Sequence, residues 1–167
     1  MKMVHKVGGT LFVHAGVTLG ALRRLPQEGS AHSDQHVDAL NARTAWAIQE
    51  RRHVDWILRA RSDDGPAWTT KFRKQTDCDE VEEVLKKLSA SRMVKGNAAQ
   101  DGKVTSLCGG KLLLTDTSMW KEDLKASEWN LMALETSTDG HDVKFVFPMR
   151  GPGDRCQAAS ASAGPLP

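Results

Sequence analysis

A histidine at the end of an apolar run is the residue of this chain whose type and position first indicate chemistry. Residues 10–16 read Thr-Leu-Phe-Val-His-Ala-Gly, so a short buried strand places His14 at its carboxyl end, beside two small residues. A neutral imidazole in such a position is a common ligand of transition metals, and it is also a common hydrogen-bonded residue at a strand end. Both roles remain open on residue types alone.

The other reactive side chains form weaker patterns. His32 and His36 lie four residues apart, a spacing that can bind a metal on a helix, but they fall in a polar loop at the helix start, where solvation is the simpler expectation. Cys78, Cys108 and Cys156 are odd in number and form no Cys-x-x-Cys pair, so neither a disulfide framework nor a zinc knuckle is expected. A reducing compartment, most simply the cytoplasm, is the corresponding expectation.

Composition indicates a globular domain and argues against two classes of partner. The 167 residues are 40% hydrophobic and 26% charged, with a net charge of +2 and no block of like charge, so neither nucleic acid nor an anionic membrane surface is an expected partner. No apolar run reaches the roughly 20 residues of a membrane span, and no secretory signal is recognised. The five tryptophans lack interleaved basic residues, which favours packing in the core or at its rim over base stacking.

Periodicity predicts a mixed α/β domain. A long amphipathic helix should start at Ser33 or Asp34 and run to about Arg59 with one break, burying Val37, Leu40, Ala47, Val54, Ile57 and Leu58. A second helix should start near Asp79 and end near Ser89. The short apolar pair 93–94 then predicts a strand that leads into Lys-Gly-Asn at 95–97.

The C-terminal third should be rich in β-hairpins. Segments 104–107 and 112–115 flank Cys108-Gly109-Gly110, and segments 129–135 and 143–147 flank Asp139-Gly140, both typical of tight turns. Residues 151–167 are rich in Gly, Pro, Ala and Ser, which indicates a disordered tail. The expected division is a domain over 1–148 and a tail over 149–167.

Four segments, taken in order, resemble the carboxyl-terminal half of the calcineurin-like metallophosphoesterases, and most closely the Shewanella-like branch of the phosphoprotein phosphatases. Thr10–Gly16 is similar to a Phe-Val-His-Gly/Ala-Gly motif, and Asp64–Phe72 to a Trp-x-Arg segment. Arg92–Gln100 resembles Arg-Met-x-x-Gly-His-Thr-x-Gln, and Leu107–Met119 resembles Cys-x-Gly-x-Leu-x-x-x-Asp-x-Gly-Met. The similarity extends from about residue 7 to about residue 135.

The resemblance implies a two-metal phosphatase with an incomplete site. The family uses manganese, iron or zinc, held by Asp, His and Asn, to hydrolyse phosphoproteins or other phosphate esters. His14 matches a ligand, whereas Asn97 replaces the Gly-His-Thr histidine and offers only a neutral amide oxygen. The phosphate-gripping arginine falls at Thr70, for which Arg73 or Lys71 would compensate only after a backbone shift.

Three further family motifs, Gly-Asp-x-His, Gly-Asp-x-x-Asp-Arg-Gly and Gly-Asn-His-Glu, do not occur in this sequence. We therefore expect a member or fragment of the family, with a partial β-sandwich flanked by helices. His14 and Asn97 are the predicted metal ligands, with weak or no binding, and no catalytic or phosphate-binding residue is assigned. The alternatives are a non-catalytic pseudophosphatase interaction module and a gene model that has lost upstream exons. Because half a sandwich leaves apolar faces and strand edges uncovered, a protein partner or self-association is also expected.

Overall fold

A mixed α/β architecture is seen in the computed structural model, which describes residues 2–26, 33–60, 62–73, 75–100, 104–117, 132–137, 142–150 and 156–162. This agrees with the fold class expected from the sequence. The elements in chain order are β1 Val4–Val7, β2 Thr10–Val13, α1 Leu19–Arg23, α2 Ser33–Gln49, α3 Cys78–Lys87, β3 Arg92–Lys95, β4 Thr105–Leu107, β5 Leu112–Leu114, β6 Ala133–Thr136, β7 Val143–Arg150 and β8 Cys156–Ser162.

The larger sheet has five strands in the order β1-β2-β3-β5-β4. Its three central strands are parallel, and their register sets Val13 opposite Lys95 and Lys95 opposite Leu114. Both outer strands join antiparallel to their neighbours. The carboxyl ends of β2, β3 and β5 therefore meet at one edge of the sheet.

A tight turn connects each outer strand of this sheet to its neighbouring strand. The turn expected at Cys108-Gly109-Gly110 is confirmed between β4 and β5, with positive φ angles of 54°, 61° and 83°. Gly8 and Gly9 form the turn of a hairpin between β1 and β2. Gly8 has a φ of 53°, which glycine adopts without steric cost.

Helix α3 begins and ends as its sequence predicts. The Asp77 side chain caps it by accepting hydrogen bonds from the backbone N–H groups of Asp79 and Glu80, at 3.0 and 3.3 Å. Both acidic residues lie in the first turn, where they complement the helix dipole. The chain leaves the helix at Ser89, whose φ is 46°.

Helix α2 is shorter than predicted. It ends at Gln49 rather than near Arg59, because Arg51 takes a φ of 51° and the Arg52 N–H turns back to the Ala47 carbonyl at 2.8 Å. Beyond this turn Ile57 is fully buried as expected, but Val54 is 82% exposed, so its predicted burial is wrong. No described helix has the length and apolar character needed to span a bilayer.

The short helix α1 was not predicted at all. It has five residues and depends on a side-chain cap, the Thr18 hydroxyl, which accepts a hydrogen bond from the Ala21 N–H at 3.0 Å. Leu22 and Ala21 are buried in the same core as the sheet. A segment of five residues is too short to show a hydrophobic period, so hydrophobic patterning could not predict this helix.

The tryptophans agree in part with the expected core or rim packing. Trp56 packs against the core, whereas Trp46 and Trp68 are 39% and 45% exposed. The Arg43 guanidinium covers the Trp46 ring at 4.2 Å from its centroid. Trp120 and Trp129 lie outside the described residues.

One apolar core joins the helices to alternate residues of the sheet. The buried strand residues of this core include Leu11, Met93 and Leu114, and Leu40 and Val84 contribute to it from α2 and α3. Residues that alternate with them point to the other face of the sheet. Among these are Phe12, Val94 and Leu113, which are neighbours in register.

A second, three-stranded antiparallel sheet has the order β6-β7-β8. Its first pair agrees with the predicted hairpin, although the Asp139-Gly140 turn lies outside the described residues. Strand β8, Cys156–Ser162, pairs with β7 inside the segment expected to be a disordered tail. This stretch contains neither Gly nor Pro, so its backbone can complete the ladder. The division into domain and tail stays a prediction.

The expectation that no disulfide forms is wrong. Cys78, at the start of α3, is bonded to Cys108, in the β4–β5 turn, with a Cα–Cα distance of 5.3 Å. The two residues are separated by 30 positions in the sequence. Helix α3 leads into β3, and β3 pairs with β5 of the β4–β5 hairpin, so folding brings the start of α3 close to the hairpin turn. Spacing in the sequence contained no indication of this pairing.

Candidate functional site

Polar residues follow each of the three parallel strands at the edge where these strands end. His14 comes directly after β2, Asn97 follows β3 after Gly96, and Asp116 follows β5 after Thr115. The Gly96 N–H donates to the His14 carbonyl at 2.9 Å, which keeps the first two segments side by side. Ligands of parallel α/β sheets bind at this edge, so it is the first place to look for a site.

The loop formed by residues 62–73 is fixed to the same edge. The Ala15 N–H donates to the Pro66 carbonyl at 2.9 Å, and the Phe72 ring is 1% exposed. Gly16 makes this packing possible, since its φ is 135° and a Cβ there would lie 2.4 Å from the Phe72 ring. Glycine is required at this position for both backbone and steric reasons. The loop thereby brings Thr70 and Arg73 to the strand ends.

A cleft of about 830 Å³ lies between this loop and the strand ends. Its lining consists of Thr70, Lys71, Arg73, Gln75, Asn97, Ala98, Ala99, Gln100 and Asp116. The segment after β3 is held in place by the Gln100 N–H, which donates to the Asp116 carbonyl at 2.8 Å, and by the Thr105 hydroxyl, which donates to Gln100 Oε1 at 2.5 Å. Asn97 takes a φ of 53°, as expected for a turn residue.

The two cations of the cleft lining differ in their surroundings. Lys71 Nζ lies 3.7 Å from Asp64 Oδ1 and 3.5 Å from Glu80 Oε1, so two carboxylates already balance its charge. Arg73 is exposed and forms no ion pair with any residue in the part of the chain that the structure describes. Its guanidinium is therefore the group available to an anion that enters the cleft.

Lys95 is a buried cation beneath the cleft. It is 1% exposed, and its Nζ donates to the Phe72 carbonyl at 3.0 Å, which ties the loop to β3. Burial lowers the pKa of Lys95 to about 8, and repulsion from Arg73 acts in the same direction, whereas attraction to Asp116 opposes both. A charged residue inside an apolar strand was the signal in the sequence that could have identified it.

The donors at this edge do not fit a two-metal centre. His14 is exposed and lines a neighbouring groove, whereas Asn97 lines the cleft. Within the described ranges, no group of three or more His, Cys, Asp or Glu side chains is placed to hold a metal ion. His36 is half-buried on α2, and His32 lies outside the described residues. The assignment of His14 and Asn97 as ligands stays a prediction.

The structure brings together the segments that carried the resemblance. Thr70 and Asn97, which stand where the family has arginine and histidine, line one cleft with Asp116. Arg73 and Lys71 line it too. Neither residue was predicted to bind phosphate, because residue spacing alone does not show which side of a loop faces a cleft.

Comparisons with known proteins identify a phosphatase-like fold. No protein-family model and no curated protein matches this sequence. Among solved structures, the cold-active protein-tyrosine phosphatase of a psychrophilic Shewanella species matches 86% of this chain and 42% of its own, with a TM-score of 0.58 and 18% identity. A mutant of a cold-active protein tyrosine phosphatase matches 87% of this chain and 39% of its own, with a TM-score of 0.60 and 15% identity. This chain has a phosphatase-like fold.

This chain matches only part of the length of each of these phosphatases. A third structure, of a cold-active protein tyrosine phosphatase at 1.1 Å, gives a TM-score of 0.54 with 18% identity and is matched over 33% of its length. The chain thus spans well under half of each of these phosphatases. The similarity expected to a Shewanella-like phosphatase is confirmed at the level of the fold.

Proposed function

We propose that this chain is a degenerate member or fragment of the calcineurin-like metallophosphoesterases that binds phosphorylated protein segments and does not hydrolyse them. This is the non-catalytic interaction module among the alternatives raised by the sequence. The observation that carries the proposal is Arg73, a guanidinium without an ion pair among the described residues, in the cleft at the ends of three parallel strands.

Phosphate binding is supported by the chemistry of the cleft. A guanidinium offers a fork of N–H donors that matches two phosphate oxygens, and such charge-assisted hydrogen bonds are about twice as strong as neutral ones. Arg73 lies three residues after Thr70, the position of the family arginine, and both line the same cleft. Asn97, which lines the same cleft, adds an amide that can donate and accept hydrogen bonds.

The absence of turnover is inferred from the donor set. Hydrolysis of a phosphomonoester at neutral pH requires an activated water and compensation of charge on the transferred group, both of which the family obtains from metal ions. A bound metal pair would supply that chemistry, but of the two family histidines compared with this sequence only His14 is kept, and Asn97 replaces the other. The Lys95 ammonium, being hydrogen-bonded to the Phe72 carbonyl, stabilises the loop rather than a reacting group.

Binding is tested with fluorescent phosphotyrosyl and phosphoseryl peptides and their unphosphorylated forms, by anisotropy. Replacing Arg73 by Gln should weaken phosphopeptide binding about 10- to 100-fold, because a charge-assisted hydrogen bond contributes roughly 1.5–3 kcal/mol. Arg59→Gln is the matched control, since Arg59 is exposed and is not among the lining residues. Equal affinity for phosphorylated and unphosphorylated peptides would refute phosphate recognition.

Turnover is tested on the same protein with an aryl phosphate and a phosphopeptide in the presence of manganese, iron or zinc. We expect no metal-dependent hydrolysis above the buffer rate. Activity that persists through further purification and disappears in His14→Ala would show that the chain is an enzyme. It would leave phosphate recognition in place and overturn the non-catalytic part of the proposal.

A further inference from the structure

A second depression, of about 580 Å³, lies beside the cleft, on the face of the sheet that carries Phe12 and Val94. Phe12 and Val94 are paired in register between β2 and β3 and form part of its apolar floor, and Met3 lines it as well. Lys2, His5 and His14 add polar groups to its lining. We refer to this depression as the sheet groove.

The sheet groove and the cleft adjoin along two strands. Gly96 lines the groove and the next residue, Asn97, lines the cleft; in the same way Thr115 lines the groove and Asp116 the cleft. The boundary carries no side chain at Gly96, where an added Cβ would meet only the His14 carbonyl oxygen, at 3.5 Å. One extended ligand can therefore occupy both depressions.

We propose that the sheet groove binds a bulky apolar side chain of the same phosphopeptide, one or two residues away from the phosphorylated residue. This inference rests on the proposed function, because it takes the phosphate to lie at Arg73. The two depressions meet between consecutive residues of one segment, Gly96 and Asn97, and an extended peptide advances about 3.3 Å per residue, so one or two of its residues span this boundary. The apolar floor then selects Leu, Met or Phe over a small polar residue.

The test compares phosphopeptides that differ only near the phosphorylated residue, with Leu, Phe or Ser placed in turn at each of the two positions before and after it. At one of these positions Leu or Phe should bind about tenfold more tightly than Ser, as expected for burial of one large apolar side chain. Gly96→Val narrows the boundary and should bring this affinity ratio close to one. Arg73→Gln should weaken every peptide and leave the ratio unchanged.

Two further variants keep the test decisive. Phe12→Ser replaces an apolar residue of the groove floor by a polar one, without changing the boundary at Gly96. If Phe12→Ser and Gly96→Val both bring the affinity ratio close to one, the groove assignment is supported even if one of the two variants is less stable. Val54→Ser, which changes an apolar residue that is 82% exposed and does not line the groove, should leave the ratio intact. Thermal melting of each variant identifies those that are folded.

The outcomes separate this inference from the proposed function. If no phosphopeptide binds, phosphate recognition fails and the groove assignment fails with it. If peptides bind through Arg73 with the same affinity whatever the neighbouring residue, only the groove assignment is overturned. If light scattering shows a concentration-dependent dimer that Phe12→Ser dissociates, the groove belongs to a second copy of the chain and the assignment is also overturned.

Discussion

Reduction of the Cys78–Cys108 disulfide should strongly destabilise the protein. The bond joins residues separated by 30 positions and so closes a loop of the chain. This loop contains most of α3, all of β3 and residues 97–100, which line the cleft. In the chain-entropy description, a crosslink over a loop of this size stabilises the folded state by about 3.5 kcal/mol. With urea m-values of roughly 1–3 kcal/mol/M, the unfolding midpoint should fall by more than about 1 M.

The assay is urea unfolding of the wild-type chain with and without reductant, next to the double variant Cys78→Ser/Cys108→Ser and the control Cys156→Ser. The double variant should match the reduced protein and be insensitive to reductant, whereas the control should behave like the oxidised wild type. Non-reducing digestion with trypsin should join peptides 75–86 and 104–111. Free thiols at both positions in the native protein, or midpoints that agree with and without reductant, would refute the reasoning.

Two smaller perturbations test how the loop is fixed to the sheet. The Lys95 pKa is about 8 when folded against an ordinary 10.5, so the unfolded chain binds more protons between these values and stability should rise with pH across this window. Burial of the charged lysine costs on the order of 3 kcal/mol, a cost that is present in full below pH 8. Free energies of unfolding from urea titrations at pH 7.5 and 9.5 should therefore differ by roughly 2 kcal/mol in Cys156→Ser, and the difference should disappear when Lys95→Met is added. Gly16→Ala should cost more than about 2 kcal/mol, since a Cβ meets the Phe72 ring at 2.4 Å, whereas Gly109→Ala, with nothing within 4 Å, should cost only its backbone strain of about 1 kcal/mol. Equal urea midpoints for these two glycine variants would contradict the steric explanation.

Elements whose signals are local could be predicted from the sequence, and those that depend on distant contacts could not. Helix α3 has its cap, its acidic first turn and its buried stripe within a dozen residues, and the β4–β5 turn has its two glycines between its strands. The end of α2 was missed because the apolar period continues into a segment that no longer forms a helix, where Ile57 is buried by a turn that begins at Arg51. The disulfide and strand β8 likewise depend on which segments become neighbours after folding.

The candidate site, too, could be predicted from the sequence only where its signals are local. A strand that ends at His14 and a strand that leads into Asn97 were both visible, and their parallel pairing explains why they lie at one edge of the sheet. The charge balance of the cleft was not visible, because it depends on Asp64 and Glu80 reaching Lys71 from separate segments while Arg73 is left without such a partner among the described residues. Since Lys71 is already neutralised by these carboxylates, removing it should affect phosphate affinity less than removing Arg73. Residue identity alone would have ranked the two cations as equals.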